Sequence, residues 1–210
     1  MNDRQAGELK FWNNDYAQYT EEEYAVVRAY IFKSHLLKYW PEMEGLTGKG
    51  LDVGCGPVSI FEYSGLDMCA IDPLMEEYQK MFRGKKMCRP KPPTVEYVLG
   101  HEDDGSLHFA DQTFDFVVCK NVIDHTERDM TLLFEMYRVL KPDGMLFFMV
   151  NFDKELHLPE HVRIWDYECI EKYVIEENDF HMERGLIEWS EEHQKHWFWG
   201  VFTKKEIASA

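Results

Sequence analysis

Two glycines and two carboxylates carry the first chemical signal in this chain. In Asp52-Val53-Gly54-Cys55-Gly56 a short apolar run ends in a Gly-x-Gly turn. Glycine lacks a Cβ and tolerates positive φ, so such a turn brings bare backbone close to a ligand. Asp52, two residues before the first glycine, is poised near a ligand's ammonium group. Asp72 ends the next apolar run, Met68-Cys69-Ala70-Ile71, and is followed by Pro73. A carboxylate there can accept hydrogen bonds from both hydroxyls of a ribose. The pair predicts a nucleotide-like ligand beyond the carboxyl ends of parallel strands.

A nicotinamide dinucleotide would use the same logic, so the residues after the turn matter. The dinucleotide fingerprint carries Gly or Ala three positions after the second glycine. Ser59 stands there, behind Val58, and only Val58 to Ser64 remains for a helix before Gly65. A pyrophosphate needs a helix N-terminus, so these departures count against a dinucleotide. His157-Leu158-Pro159-Glu160-His161 fits the H-x-x-E-H zinc pattern. That chemistry needs both histidines on one helical face, and Pro159 would break such a helix. No metal is expected; these residues, with Asn151 and Asp153, read as a polar loop able to touch a substrate.

Strands that end in turns must position these groups. Short apolar runs at Leu51–Val53, Met68–Ile71, Val95–Leu99, Phe116–Cys119 and Met145–Val150 alternate with helical stretches. Leu133, Met136, Tyr137 and Leu140 recur on one helical face, with Thr126 as a cap and Lys141-Pro142-Asp143-Gly144 as the stop. Continuous apolar strands separated by helices predict a buried, mostly parallel sheet. Asp166 can cap a further helix running to Asn178. Met182–Trp189 and Trp197–Thr203, joined by polar residues, suit an antiparallel hairpin at the sheet edge. Ahead of the sheet, Thr20-Glu21-Glu22-Glu23 matches a capping box and opens a helix that Pro41 stops. Residues 1–47 are expected to form a helical cap bearing Phe11, Trp12, Tyr16 and Tyr19, and residues 48–210 the main domain.

Composition limits the partners. The formal charge is −16, from 39 acidic and 23 basic residues. Nucleic-acid affinity needs clustered cations, so a nucleic-acid substrate is not expected. The basic group Arg83, Lys85, Lys86, Arg89 and Lys91 reads as a solvated helix-to-strand loop, at the sheet end opposite the ligand. No apolar run reaches the length of a membrane span, and the first residues lack a signal-peptide core. Five scattered cysteines suit reduced thiols rather than disulfides. A cytoplasmic protein is expected.

Four motifs in order then carry a resemblance. Leu51-Asp52-Val53-Gly54-Cys55-Gly56-Pro57, Ala70-Ile71-Asp72-Pro73, Phe114–Cys119 with Val122-Ile123-Asp124-His125, and Arg138-Val139-Leu140-Lys141-Pro142-Asp143-Gly144 resemble class I S-adenosylmethionine-dependent methyltransferases. The match is nearest to the type 11 small-molecule subfamily, whose usual turn has two glycines where this chain has Asp143-Gly144. The resemblance implies a Rossmann-like seven-stranded α/β sheet, five parallel strands plus a C-terminal antiparallel hairpin, under an N-terminal helical lid.

It implies S-adenosylmethionine as cofactor and S-adenosylhomocysteine as product. Contacts are expected from Asp52, Gly54, Cys55, Gly56, Asp72, Pro73, Asn121 and the lid residue Tyr19. Glu102, chosen over Asp103, is expected to meet the adenine. The acceptor would be a small molecule, a polar or sugar-linked metabolite, methylated on oxygen, nitrogen or carbon. His125 and His157 are the candidate bases. Lys120-Asn121-Val122-Ile123 stands where amine-methylating DNA enzymes carry Asp/Asn-Pro-Pro-aromatic, again against nucleic acid. Two other readings stay open: a nicotinamide oxidoreductase, and a module that binds the cofactor without turnover.

Overall fold

The computed structural model describes residues 3–16, 27, 30–82, 95–99, 105–152, 163–191 and 195–205. Its strands are β1 (Lys49–Val53), β2 (Asp67–Asp72), β3 (Glu96–Leu99), β4 (Phe114–Lys120), β5 (Leu140–Phe152), β6 (Phe180–Ser190) and β7 (Lys195–Lys204). They form a seven-stranded sheet in the order β3-β2-β1-β4-β5-β7-β6. β1–β2, β2–β3 and β4–β5 pair in parallel, while β5–β7 and β6–β7 pair antiparallel. The expected Rossmann-like architecture with a C-terminal hairpin is the one observed. The chain divides into two compact units, Met1–Gly100 and His101–Ala210.

In the first unit, α1 (Asp3–Tyr16) precedes a helical run that includes a π-turn at Phe32–Leu36 and the short α2 at Leu37–Tyr39. As expected, Pro41 marks the stop, opening a 3-10 turn to Met43. The capping box at 20–23 and the basic group at 83–91 lie outside the described residues. Leu51, Val53, Met68, Cys69, Ala70 and Ile71 are all buried, the unbroken apolar reading of a parallel strand covered on both faces. The register Asp52↔Ala70, Val53↔Ile71 and Asp72↔Leu99 aligns the strand ends. α3 (Met75–Phe82) follows β2.

One sequence expectation fails here. The short helix after the glycine turn is absent, and residues 54–66 run through turns and bends instead. Gly54 and Cys55 donate to the Ile71 carbonyl, Ser59 to the Tyr97 hydroxyl, and Phe61 to Ser59 Oγ. Glu62 and Ser64 donate to the carbonyls of Ser59 and Phe61, three residues back, so tight turns form in place of an i→i−4 ladder.

In the second unit, α4 (Asp129–Val139) joins β4 to β5. Thr126 is not its N-cap residue, which is Arg128; Thr126 Oγ1 accepts from the Arg128 amide, two residues early. β5 begins at Leu140, ahead of the expected stop, and the Lys141–Gly144 turn becomes an irregularity inside it. The register with β4 shifts between Phe114 and Phe116, and Asp143 takes φ 59, the left-handed region where Asp is among the better-tolerated residues. A Cβ at Gly144 would stand 2.8 Å from the Lys141 carbonyl oxygen and 3.1 Å from that of Asp115, which explains the glycine.

Asp166 caps α5 (Tyr167–Cys169) as expected, accepting from the Cys169 amide at 2.8 Å, and the helix continues as a π-turn over Ile170–Glu176. Lys204 is buried and donates to the carbonyls of Tyr137 and Leu140, at 2.8 Å each. A cation there answers the orphan carbonyls at the C-terminus of α4.

No described helix is long and apolar enough to cross a membrane. Cys55, Cys69 and Cys119 are buried and Cys169 half-buried, without a disulfide among the described residues. Burial, with Glu96 adding to it, pushes the Cys69 thiol up to about 11.

Arg138 fastens α4 to the segment before β4, reaching Glu135, Asp111 and the Phe109 carbonyl. Its hydrogen bond holds the Glu135 carboxyl below the ordinary range. Arg138→Met should therefore cost about 1–3 kcal/mol, read as a fall in melting temperature at pH 7. A depressed folded-state pKa contributes stability above the unfolded value, and that stability is lost as pH falls through the folded one. The gap between wild type and variant should narrow in melts below about pH 4.

Candidate functional site

Two polar clusters occupy the carboxyl ends of the strands, one in each unit. In the first, Gly54 and Gly56 take φ of 67 and 64, which few side chains tolerate. The turn they form is tied to the end of β2. Gly56 N–H donates to Asp72 Oδ2 at 2.9 Å, and Leu74 N–H donates to Oδ1 at 2.9 Å. Asp72 is buried, and a carboxylate's two oxygens can accept more than one hydrogen bond each. Pro73 beside it is exposed. Cys55 contributes through its backbone and bonds the Gly56 carbonyl through Sγ.

Asp52 is also buried, and its Oδ2 accepts from Ser59 Oγ at 2.6 Å. Ser59 is thus a partner of the first carboxylate, not merely a departure from a dinucleotide pattern. A second chain of bonds runs beneath it. Tyr97, on β3, accepts from the Ser59 amide and donates to Glu62 Oε1 at 2.8 Å. Glu62 is 1% exposed. Burial and the neighbouring Glu62 raise the Tyr97 phenol far above its ordinary range, so it remains a hydrogen-bond donor. Burial, with Asp72 and Glu8 nearby, does the same to Tyr78 on α3.

Helix α1 reaches this cluster through Trp12. A Cβ built on Gly56 would lie 3.1 Å from the Trp12 indole. The ring therefore rests on the face of the turn that the second glycine leaves bare.

In the second unit the cluster comprises Asn121, Asp124, His125 and Asn151. Asn121 ends β4 with φ 56, a conformation that asparagine tolerates better than most residues. A 3-10 turn over Ile123–His125 follows. Asp124 and Asn151 are buried. Asn151 Nδ2 donates to Asn121 Oδ1 and, at 3.2 Å, to Asp124 Oδ2. Its Oδ1 is buried without a hydrogen-bond partner. The half-buried His125 ring presents Nε2 3.4 Å from Asn121 Nδ2 and 3.9 Å from Asp124 Oδ1. No group of three or more His, Cys, Asp or Glu able to hold a metal occurs among the described residues.

The structure thus brings Asp52, Gly54, Cys55, Gly56 and Asp72 together in one unit, and Asn121 with His125 in the other. Tyr19, Glu102, Asp103 and His157 lie outside the described residues, as do Asp153 and His161. Of the region expected near an adenine, Gly105 and Ser106 are described. Gly105 takes φ 79 and presses on Arg128 and Thr131, where a Cβ would come to 3.0 Å. Sequence reasoning missed Glu62, Tyr97 and the partnership of Ser59. No spacing rule pairs a tyrosine on the third strand with a loop after the first.

Comparison with known proteins agrees with this layout. Residues 51–148 match the family described as Methyltransferase domain. A mouse thiol S-methyltransferase, TMT1B, is 28% identical over 120 residues, covering 55% of this chain and 48% of that protein. The chain spans less than half the length of the curated relatives it matches. Among solved structures, an S-adenosylmethionine-dependent methyltransferase from Methanosarcina mazei aligns with a TM-score of 0.57 at 19% identity, over 76% of this chain and 93% of its own. The Burkholderia thailandensis 1,6-didemethyltoxoflavin-N1-methyltransferase, solved with bound 1,6-didemethyltoxoflavin and S-adenosylhomocysteine, aligns with a TM-score of 0.61 at 17% identity, over 90% of this chain and 92% of its own. Residues 51–148, a little under half of the chain, are thus similar to a type 11 methyltransferase domain.

Tyr97→Phe tests whether the buried hydroxyl holds the loop that follows the glycine turn. It removes the partner of the Ser59 amide and of Glu62 while keeping the ring. Chemical denaturation should show a loss of about 1–3 kcal/mol with an unchanged denaturant slope.

Proposed function

We propose that this chain is an S-adenosylmethionine-dependent methyltransferase acting on a small nucleophilic acceptor, with residues 1–47 serving as its cap. The observation that carries the reading is the glycine turn bonded to Asp72. Two positive-φ glycines expose backbone beside a buried carboxylate, a set of groups suited to an amino-acid headgroup and a ribose. Gly54, Cys55 and Gly56 would flank the methionine portion, Asp72 and Pro73 the ribose, and Asp52, braced by Ser59, the ammonium. Trp12 would wall the turn and keep water from it. When bound, the cofactor supplies a methyl group on a sulfonium, an electrophile whose departing thioether needs no acid.

The cluster of Asn121, Asp124, His125 and Asn151 is assigned to the acceptor. Asn151 Oδ1, buried and unpaired, suits an acceptor bearing an N–H, O–H or S–H donor, because an unmet buried acceptor costs about 1–3 kcal/mol. His125 Nε2 would give up its contact with Asn121 Nδ2 to take the proton that a hydroxyl or thiol must release, and the nearby Asp124 carboxylate would stabilise the imidazolium. His157 is the alternative base. The name of the curated relatives favours a thiol as the first acceptor to test. A thiol suits a site with a base, since the thiolate is the nucleophile. Oxygen, nitrogen and carbon acceptors complete the panel.

Calorimetry with S-adenosylmethionine, S-adenosylhomocysteine and NAD separates the readings. Wild type should bind the first two and not NAD; binding of NAD alone would overturn the assignment. Asp72→Ala should weaken S-adenosylmethionine by roughly tenfold or more, from two lost backbone hydrogen bonds and the ribose contact. Labelled methyl transfer to thiol, hydroxyl and amine panels then tests turnover, and binding without transfer to any of them would reduce the protein to a cofactor-binding module. His125→Asn should lower single-turnover rates for thiol and hydroxyl acceptors by roughly a hundredfold, with cofactor affinity unchanged.

A further inference from the structure

The C-terminal hairpin ends the sheet with an edge strand that exposes three large apolar side chains. β6 is the last strand in the sheet order, it is 11 residues long, and among the described residues no strand pairs with its outer side. Leu186, Ile187 and Trp189 on it are 42%, 48% and 47% exposed. Long apolar edge strands invite pairing with another chain, and proteins usually blunt them with charge, proline or a covering segment. After its bulge between Met182 and Arg184, β6 pairs regularly with β7 through Ser190. The outer side of that regular span is therefore geometrically fit to accept a further strand.

We infer that this edge is the homodimer interface of the protein, formed by antiparallel pairing of β6 with β6 of a second copy about a two-fold axis at Leu186. The pattern of side chains selects this partner. Alternation along the strand puts Arg184, Leu186 and Glu188 on one face, and Gly185, Ile187 and Trp189 on the other. A two-fold at Leu186 sets Arg184 of each copy opposite Glu188 of the other, flanking a Leu186–Leu186 contact. On the opposite face it sets Ile187 of each copy over Gly185 of the other, bulk against the residue that lacks a side chain. Isologous contacts require this reciprocity, in which one residue meets a second and the second meets the first. Opposite charges directly across antiparallel strands attract, whereas like charges there repel.

Charge reversal provides the test. Sedimentation equilibrium of the full chain should show a reversible monomer–dimer system. Arg184→Glu and Glu188→Arg should each raise the dissociation constant about tenfold or more, because each turns two symmetry-related attractive pairs into repulsive ones. The double variant, carrying both reversals, should return close to the wild-type constant. Leu186→Lys, which puts two like charges on the axis at an exposed position, should give a monomer with an unchanged circular dichroism spectrum. A wild type that stays monomeric, dimerisation indifferent to the single reversals, or a double reversal that fails to recover would each overturn the proposal.

Discussion

A carboxylate removed from water must be met by hydrogen-bond donors, and the turns at the ends of β1 and β2 are organised around that requirement. Asp72 takes the amides of Gly56 and Leu74, so one side chain binds the loop of the first strand to the loop of the second. Asp52 takes the Ser59 hydroxyl, and Glu62 takes the Tyr97 hydroxyl. Each bond fixes backbone that would otherwise be mobile in a loop. The positive-φ glycines are the conformational counterpart, since only such residues let the chain turn tightly enough to present an amide to Asp72. The segment after the glycines is a pinned loop of tight turns, with Glu62 and Ser64 bonding three residues back.

The second unit solves a different problem. There the apolar strands β4 and β5 are buried throughout their central spans, and the polar groups cluster where the strands end. Asn121 turns the chain sharply after β4 and at the same time accepts from Asn151 at the end of β5. Two strand ends are thereby locked by a pair of amides, with Asp124 as a third member. α4 is held at both termini: Asp129 at its start receives Arg163, and Lys204 gathers the carbonyls at its end. The rigidity of the helix keeps the loop before it, with His125, in a defined place.

Much of this was legible from the residues. The glycine turn, Asp72, the strand order of apolar runs, the Asp166 cap and the terminal hairpin all follow from local rules: periodicity, capping and the backbone freedom of glycine. The failures have a common cause. The missing helix after Gly56 and the early start of β5 involve partners distant in sequence, Tyr97 for Ser59 and Phe114 for Leu140. Lys204, which no local rule singled out, is likewise placed by the carbonyls at the end of α4. Thr126 shows the same limit at short range. Its residue type was right for a cap and it does accept the Arg128 amide, but the regular helix begins two residues later than such a cap implies, at Asp129.

The contact between Trp12 and Gly56 has an evolutionary consequence. A side chain at position 56 is barred twice, by the left-handed backbone and by the indole above it. Shrinking residue 12 would lift only the second bar, whereas enlarging residue 56 first would meet both. The two positions are therefore coupled with a direction: position 12 can drift while position 56 stays glycine, but the reverse order is closed. An N-terminal helix joined to the turn in this way is free to diversify around an unchanging glycine.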